Sequence, residues 1–321
     1  MSALARLAMV ALAATAALSC RDEVPIDARP PLPRDAGVAD AALEPPPIPT
    51  NFPGIPVATF NVHRFFDTQC DSGSCGPGDY EELPSRTAFE DKARALADGI
   101  TKLRAEVVVL QEVENEACLD ALGAKLPGLP HRHIGETGAP ASVDVALLSA
   151  YPITSVKGHA ASPIARANGE LTTFARELLE VHVATPDGEL VVFAAHFRSK
   201  VNDDPERRLA EARAARHIVL DEATRSPGAI VVLAGDLNDV PGSPPLEALL
   251  EGGAIVSAAA GRAPWELGTY PYGGGLLAID HVLVAARAPG RAVPESFQVF
   301  REAKSGWAGS DHGAVRVHLT R

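Results

Sequence analysis

The chain has 321 residues, 46% of them hydrophobic, with 29 Lys+Arg against 41 Asp+Glu and a formal net charge of -12. That length and apolar content exclude a disordered chain and suit one large domain or two small ones. The acidic balance excludes a strongly basic nucleic-acid coat, because nonspecific duplex binding draws mainly on cationic contacts to phosphate.

At the N-terminus Arg6 precedes an apolar run over 7–18. The run is too short to span a bilayer comfortably and reads as the hydrophobic part of a signal peptide over 1–20. The string Ala17-Leu18-Ser19-Cys20 resembles the bacterial lipoprotein signal, in which the cysteine is lipidated and becomes the new N-terminus; ordinary secretion with cleavage nearby is the alternative. Residues 21–54 are rich in Pro, Ala and Asp without hydrophobic periodicity, and read as a partly polyproline-like tether.

No second linker, repeat or heptad run interrupts 55–321, which predicts one domain of alternating strands and helices. The first strand is expected at 56–61. Cys70 and Cys75 share a Gly/Asp/Ser loop and could close a small disulfide ring, leaving Cys118 free, since export permits disulfides. A metal site in CDSGSC is the other reading and lacks a second ligand pair. Over 86–103, Phe89, Ala93, Leu96, Ile100 and Leu103 fall at helical spacing behind Ser85 as a cap. The β-branched run 107–110 follows as a buried strand. Further strands are expected at 145–149, 177–183, 190–195, 230–234, 279–284 and 314–319. A helix is expected over 205–222, with Asp204 as cap and Pro205 at its first position.

Several of these strands end in polar residues: Asn61 and His63, Gln111 and Glu112, His196, then Asp236 and Asn238. Polar groups at successive strand ends converge on one rim of a sheet structure, where active sites are commonly built. The strings TFNVHRFFD (59–67), VVVLQEVENE (107–116), AAHFRSK (194–200), VVLAGDLNDVPGS (231–243), LAIDHVLV (277–284) and GSDHGAV (309–315) occur in that order. Together they resemble the endonuclease/exonuclease/phosphatase family, relatives of pancreatic deoxyribonuclease, and especially its secreted bacterial nuclease-like members.

The resemblance implies an α/β fold, a four-layer α/β/β/α sandwich of two mixed sheets flanked by helices. It implies that Glu112 is the principal ligand of a catalytic Mg2+, with Mn2+ or Ca2+ as substitutes, that Asn61 sits beside metal and phosphate, and that Asp311 is a second carboxylate nearby. Mg2+ suits such a set, because it takes oxygen ligands and commonly needs only one or two carboxylates. Asp236 would orient or deprotonate the attacking water, and Asn238 would donate to phosphate. His312 would act at the phosphate, with Asp280 fixing its tautomer. His196 would contact or protonate the transferring group, and Arg176, Arg198 and Lys200 would bind phosphate. Taken singly, each has a plainer reading: Glu112 as a helix-start carboxylate, Gly235 and Asp239 as turn residues, Arg198 and Lys200 as a solvated loop. His281 reads as packing. His63 stands where relatives carry an acidic residue or asparagine.

The resemblance favours DNA or RNA as substrate, with a phosphatase or phospholipid phosphodiesterase as the alternative. A sphingomyelinase-like activity calls for an exposed aromatic hairpin, and the sequence displays no such aromatic cluster. A noncatalytic surface-binding lipoprotein would lack catalytic groups. The lipid anchor implies a membrane partner; no protein partner is implied, and a monomer is expected.

Overall fold

The computed structural model describes residues 52–302 and 305–321, all within the compact unit Pro49–Arg321. Cys20 and all but the last three residues of the 21–54 tether lie outside the described residues.

Two mixed sheets organise the backbone. The first runs in the order Arg291–Ala292, Ala314–Thr320, Ile55–Phe65, Val107–Val113, Asp144–Ser149 and His131–Gly135, with Gln298–Phe300 also paired to Ala314–Thr320. The second runs Ile255–Ser257, Asp280–Ala285, Ile230–Asp236, Gly188–His196, Leu179–Thr185 and Ile153–Gly158. Val57, Val107 and Val109 of the first sheet share one core with Val181, Val192, Val232 and Val282 of the second. The opposite face of the second sheet buries Phe193, Val231 and Leu233 against Ala212, Ala215 and Val219 of the helix Pro205–Arg225. Central strands are thus covered on both faces, and they read as unbroken apolar runs rather than alternating ones. The helix Arg86–Leu103 packs on the Ile55–Phe65 strand and completes the four-layer α/β/β/α arrangement.

The predicted helices form for the expected reasons. Ser85 Oγ accepts from Ala88 N at 3.1 Å, and the buried stripe Ala93, Leu96, Ile100, Leu103 fixes the face of the helix. Asp204 caps the other long helix through Arg207 N, and that helix runs to Arg225, three residues past the expected end. The strand expected from 177 begins at Leu179, because the Glu177 carboxylate turns away to accept from His159 N and Ala160 N. The first strand extends to Phe65, beyond the expected 61. The helices Glu116–Gly123 and Pro244–Leu250 and the edge strands His131–Gly135 and Ile153–Gly158 were not expected; they are short, and the strands carry exposed polar residues on an edge. Cys70 and Cys75 are joined in a disulfide, and Cys118 is free and buried. Among the described residues no helix is long and apolar enough to cross a membrane.

Strand direction positions the site. Asn61 and Gln111 are partners at the ends of two parallel strands, as are Asp236 and His196 in the other sheet. Asp280 opens the antiparallel strand opposite Asp236, and His312 lies just before the strand paired to Ile55–Phe65. Asn61, Asp236, His196, Asp280 and His312 therefore reach the same rim.

Candidate active site

Asn61 joins the two sheets. Its Nδ2 donates to half-buried Glu112 Oε1 at 3.1 Å and to buried Asp236 Oδ2 at 3.0 Å, so one carboxamide separates two carboxyl groups that would otherwise repel. Its Oδ1 accepts from His63 N at 2.9 Å, while Ser310 Oγ donates to the Asn61 carbonyl at 2.7 Å and accepts from His312 N at 3.0 Å. Ser310 thereby ties the 309–312 turn to the first strand.

The backbone here departs from regular geometry to aim these groups. His63, Arg64, Glu112 and Asn238 have φ of 52°, 44°, 66° and 53°, in the left-handed region. Non-glycine residues there cost about 1–3 kcal/mol each and persist only where surrounding contacts hold them. Those contacts are present: Arg64 N donates to Glu112 Oε2 at 2.8 Å, and Lys92 Nζ donates to the carbonyls of His63 and Arg64. At Gly235 a Cβ would lie 1.9 Å from the Ala195 carbonyl oxygen, so only glycine lets the Asp236 and His196 strands pair to their ends.

Asp280 and His312, 32 residues apart in sequence, meet at 2.9 Å between Oδ2 and Nδ1. His312 Nε2 then stands 3.9 Å from Asp236 Oδ2, and His196 Nε2 stands 3.8 Å from the same oxygen. Burial opposes a charged His312, but the Asp280 charge and hydrogen bond, with Asp236 and Asp311, raise it to about 10. Burial and then the Asp280 charge push Asp236 up to about 7, against His312 and the hydrogen bonds from Asn238 N and Asn61. Burial and the Arg176 charge take His196 down to about 3. At neutral pH the rim thus holds a protonated His312, a neutral His196 and, between them, a carboxylate close to its midpoint. Such a set can move protons.

The donors available for a cation are oxygens. Burial raises Glu112, yet facing His196, the Asn61 hydrogen bond, His312 and Arg64 N bring it to about 2, so it is a carboxylate at any working pH. Asp311 Oδ1 is buried without a hydrogen bond, 3.4 Å from His63 Nδ1, as suits an oxygen that completes a metal site. Ligating atoms of Asp236, Asp280 and His312 also lie within 4.8 Å of one another, but there His312 and Asp280 satisfy each other.

The remaining residues singled out in the sequence occupy these places. Asn238 is not extended beside Asp236: the chain turns, Asn238 N donates to Asp236 Oδ1 at 2.8 Å, and its side chain donates to the Phe197 carbonyl at 3.1 Å. Gln111 faces inward and exchanges hydrogen bonds with Thr59. Arg198 donates to the carbonyls of Val201 and Asn202 in its own loop, and Lys200 donates to Asp239 in the turn after Asp236 at 3.0 Å. Arg176 remains at the rim, 3.4 Å from the Phe197 carbonyl, and its charge acts on His196. His281 packs as expected, with Nε2 2.9 Å from the Asp239 carbonyl.

Sequence reasoning missed Lys92, Ser310, Tyr270 and Arg208. Tyr270 lies with its ring 4.8 Å from that of His312, on the hairpin Tyr270–Tyr272/Gly275–Leu277. That hairpin also corrects the expectation of no exposed aromatic element, since Tyr272 is 67% exposed. Its signal was the Gly-Gly-Gly run after Tyr272. Arg208 is buried and pairs with Asp239 at 2.9 Å, which holds the turn after Asp236.

The sequence profile of the Endonuclease/Exonuclease/phosphatase family matches residues 58–312. An endonuclease/exonuclease/phosphatase from Bacteroides vulgatus superposes with TM-score 0.60 at 17% identity, over 84% of this chain and 99% of that one. D. rerio TDP2 complexed with single strand DNA product gives TM-score 0.58 at 15% identity, over 84% and 99%. Beta toxin from Staphylococcus aureus gives 0.57 at 16% identity, over 83% and 100%. Curated proteins offer no match. At such identities the structural likeness speaks for the fold, and the profile match speaks for descent. This chain belongs to the endonuclease/exonuclease/phosphatase family, whose members hydrolyse phosphoric esters.

Proposed function

We propose that the protein is a divalent-metal-dependent phosphodiester hydrolase, a nuclease that acts on DNA or RNA outside the cytoplasm. One observation carries the reading: Asn61 bridges Glu112 and Asp236 beside the Asp280–His312 pair, which brings a cation-binding edge and a proton-transfer edge to one rim. The likeness to D. rerio TDP2 complexed with single strand DNA product supports nucleic acid as the ester.

Glu112, Asn61 and Asp311 would hold Mg2+, or Mn2+ or Ca2+ in its place. Bound there, the cation would polarise a phosphate oxygen and offset the charge that develops in the transition state. Asp236, near its midpoint at neutral pH, takes the proton of the attacking water. His312, kept protonated by Asp280, donates from Nε2 to the phosphate as its charge grows and gives that proton to the ester oxygen that leaves as its bond to phosphorus breaks. Neutral His196 stands across Asp236 and contacts the same phosphate. Arg176 adds positive charge beside it.

The test is hydrolysis of duplex DNA, single strands, RNA, inositol phosphates and sphingomyelin with Mg2+, Mn2+, Ca2+ and excess chelator. Activity is expected only with a divalent cation, and Glu112→Gln should lower it by removing a charged ligand. Full activity in chelator would overturn the reading, as would a fully active Glu112→Gln enzyme.

The apolar run 7–18 and Cys20 support export and lipid anchoring. Cys20→Ser is expected to leave the protein free of the membrane. Unchanged partitioning, with no palmitate label on the wild type, counts against the anchor.

A further inference from the structure

Aromatic residues make up only 5% of the chain, and among the described residues three of them stand exposed by half or more: Tyr80 at 51%, Trp265 at 78% and Tyr272 at 67%. Two of the three are linked to residues of the rim, Tyr80 through Arg64 and Tyr272 through Tyr270.

Tyr80 reaches the rim through Arg64. The Arg64 backbone N–H is bonded to Glu112, and its guanidinium lies 4.7 Å from the Tyr80 ring centroid. Phe66 supports that ring edge-on at 5.9 Å. The segment that carries Tyr80 is pinned next to the ring, where buried Glu81 accepts from Asp71 N and Ser72 N at 2.6 Å each, and the Cys70–Cys75 disulfide closes the turn those donors belong to. A ring held out of the core by such bracing is preorganised for a ligand.

Tyr272 reaches the rim through the hairpin. Tyr270 faces His312, and residues two apart on a strand share a face, so Tyr272 presents its ring on the same side about 7 Å further out. Gly273 and Gly274 supply the left-handed turn, with φ of 59° and 80°. The hairpin is tied back where Thr269 N donates to the Leu277 carbonyl at 2.8 Å and Gly313 N donates to the Thr269 carbonyl at 2.7 Å. Trp265 lies in the short turn Pro264–Glu266 that leads into it.

We propose that the site takes a single strand of nucleic acid, with one base stacked on Tyr80 and another on Tyr272, on either side of the phosphate at the rim. This rests on the phosphodiesterase reading above and narrows its substrate. Stacking platforms beside a phosphate site bind unpaired bases, because every base offers a π-face once it is out of a duplex. Arg64 over Tyr80 adds a planar cation to that wall. A lipid surface fits less well: the hairpin tip is Tyr-Gly-Gly, with little apolar area, and insertion at Tyr80 would carry Arg64 with it.

KM and kcat are to be measured on the full chain with Mg2+, using a short single-stranded oligonucleotide, its duplex and bis(p-nitrophenyl) phosphate. Tyr80→Ala and Tyr272→Ala should each raise KM for the strand about 5- to 150-fold, equivalent to roughly 1–3 kcal/mol of stacking per base. Their kcat should fall much less than KM rises, and Tyr→Phe at either position should restore KM. The double variant should lose the product of the two factors, since the rings hold different bases. Unchanged KM for the strand in the alanine variants overturns the proposal, as does a wild-type preference for the duplex. Weaker binding of Tyr272→Ala to sphingomyelin–phosphatidylcholine vesicles, with KM for the strand unchanged, overturns it in favour of a lipid surface. Absence of metal-dependent turnover of every diester overturns the phosphodiesterase reading instead. In that event anisotropy of a labelled strand decides stacking: equal affinity in wild type and both alanine variants overturns it.

Discussion

The second sheet carries two buried clusters built from the same residue types. On the outer face near the edge, Glu180 meets His159 Nε2 at 2.8 Å and His182 Nε2 at 3.1 Å, His182 Nδ1 meets Glu189 at 2.9 Å, and Lys157 stands 4.0 Å from Glu180. At the rim, Asp236 faces two histidines at 3.8 and 3.9 Å and is hydrogen-bonded to neither. Burial raises Glu180, but its two histidine hydrogen bonds and Lys157 override that and bring it to about 2. Burial raises Asp236 too, and there the Asp280 charge adds to it, leaving the carboxyl at about 7. A carboxylate whose partners all favour the charged form is committed to structure, whereas one with divided partners can exchange a proton.

That contrast makes the largest predicted effect a difference between clusters. Asp236→Asn and His312→Ala should each lower kcat/KM on a diester about 100- to 10,000-fold, as loss of a general acid or base does. Glu180→Gln should leave it within threefold. Comparable losses from all three would dissolve the distinction.

The next effect sharpens the rim itself. Asp280→Asn and His312→Ala should each be severe, and the double variant little worse than the worse single one, since residues acting as one unit are strongly nonadditive. The cycle is read on kcat/KM after circular dichroism shows each variant folded. Losses that multiply would separate Asp280 from His312.

Stability should reverse the order. Removing one partner of a buried, paired charge typically destabilises by about 3–5 kcal/mol. Glu180→Gln keeps the shape and some hydrogen bonding, so about 3 kcal/mol is expected in urea unfolding. Asp236→Asn removes a charge that its surroundings already disfavour and should lose less than about 1 kcal/mol. Equal losses would mean that both clusters are structural.

Much of this arrangement is legible in the chain. The apolar runs 107–110 and 230–234 announce strands covered on both faces, and the order of the six strings points to the rim and to Asp280 as a neighbour of His312. The misses share a cause, namely dependence on partners distant in sequence. Nothing in the side chains of His63, Arg64 or Glu112 signals left-handed backbone; that geometry is imposed by Lys92 and by the Arg64–Glu112 hydrogen bond. The part played by Asn61 depends on which sheets face each other, and Asp236 is 175 residues away. Lys200 looks free until the fold brings Asp239 to it, 39 residues on. Edge strands such as His131–Gly135 bury too little to impose a period on their residues.

The smallest predicted effect is the pH dependence of that stability difference. Glu180 has a folded value of about 2, below the value of about 4.3 for a free glutamate, so its contribution is present above about pH 4.3 and is lost as pH falls toward 2. His182 moves the other way: burial lowers it, but hydrogen bonds to Glu189 and Glu180 raise it above its ordinary value. Its contribution is fully present below about pH 6.5 and fades as pH rises through the folded value. Both are therefore in force together between about pH 4.5 and 6.5. Whole-protein stability will not display this window, because Asp236 and other raised carboxyls lose stability as pH rises through the same range. Subtracting Glu180→Gln from wild type cancels those groups. The difference in unfolding free energy, measured in urea from pH 3 to 8, should climb from pH 3, level off in that window and decline above it. A difference that stays flat across the whole range would show that Glu180 acts through shape and hydrogen bonding alone, with no charge linked to folding.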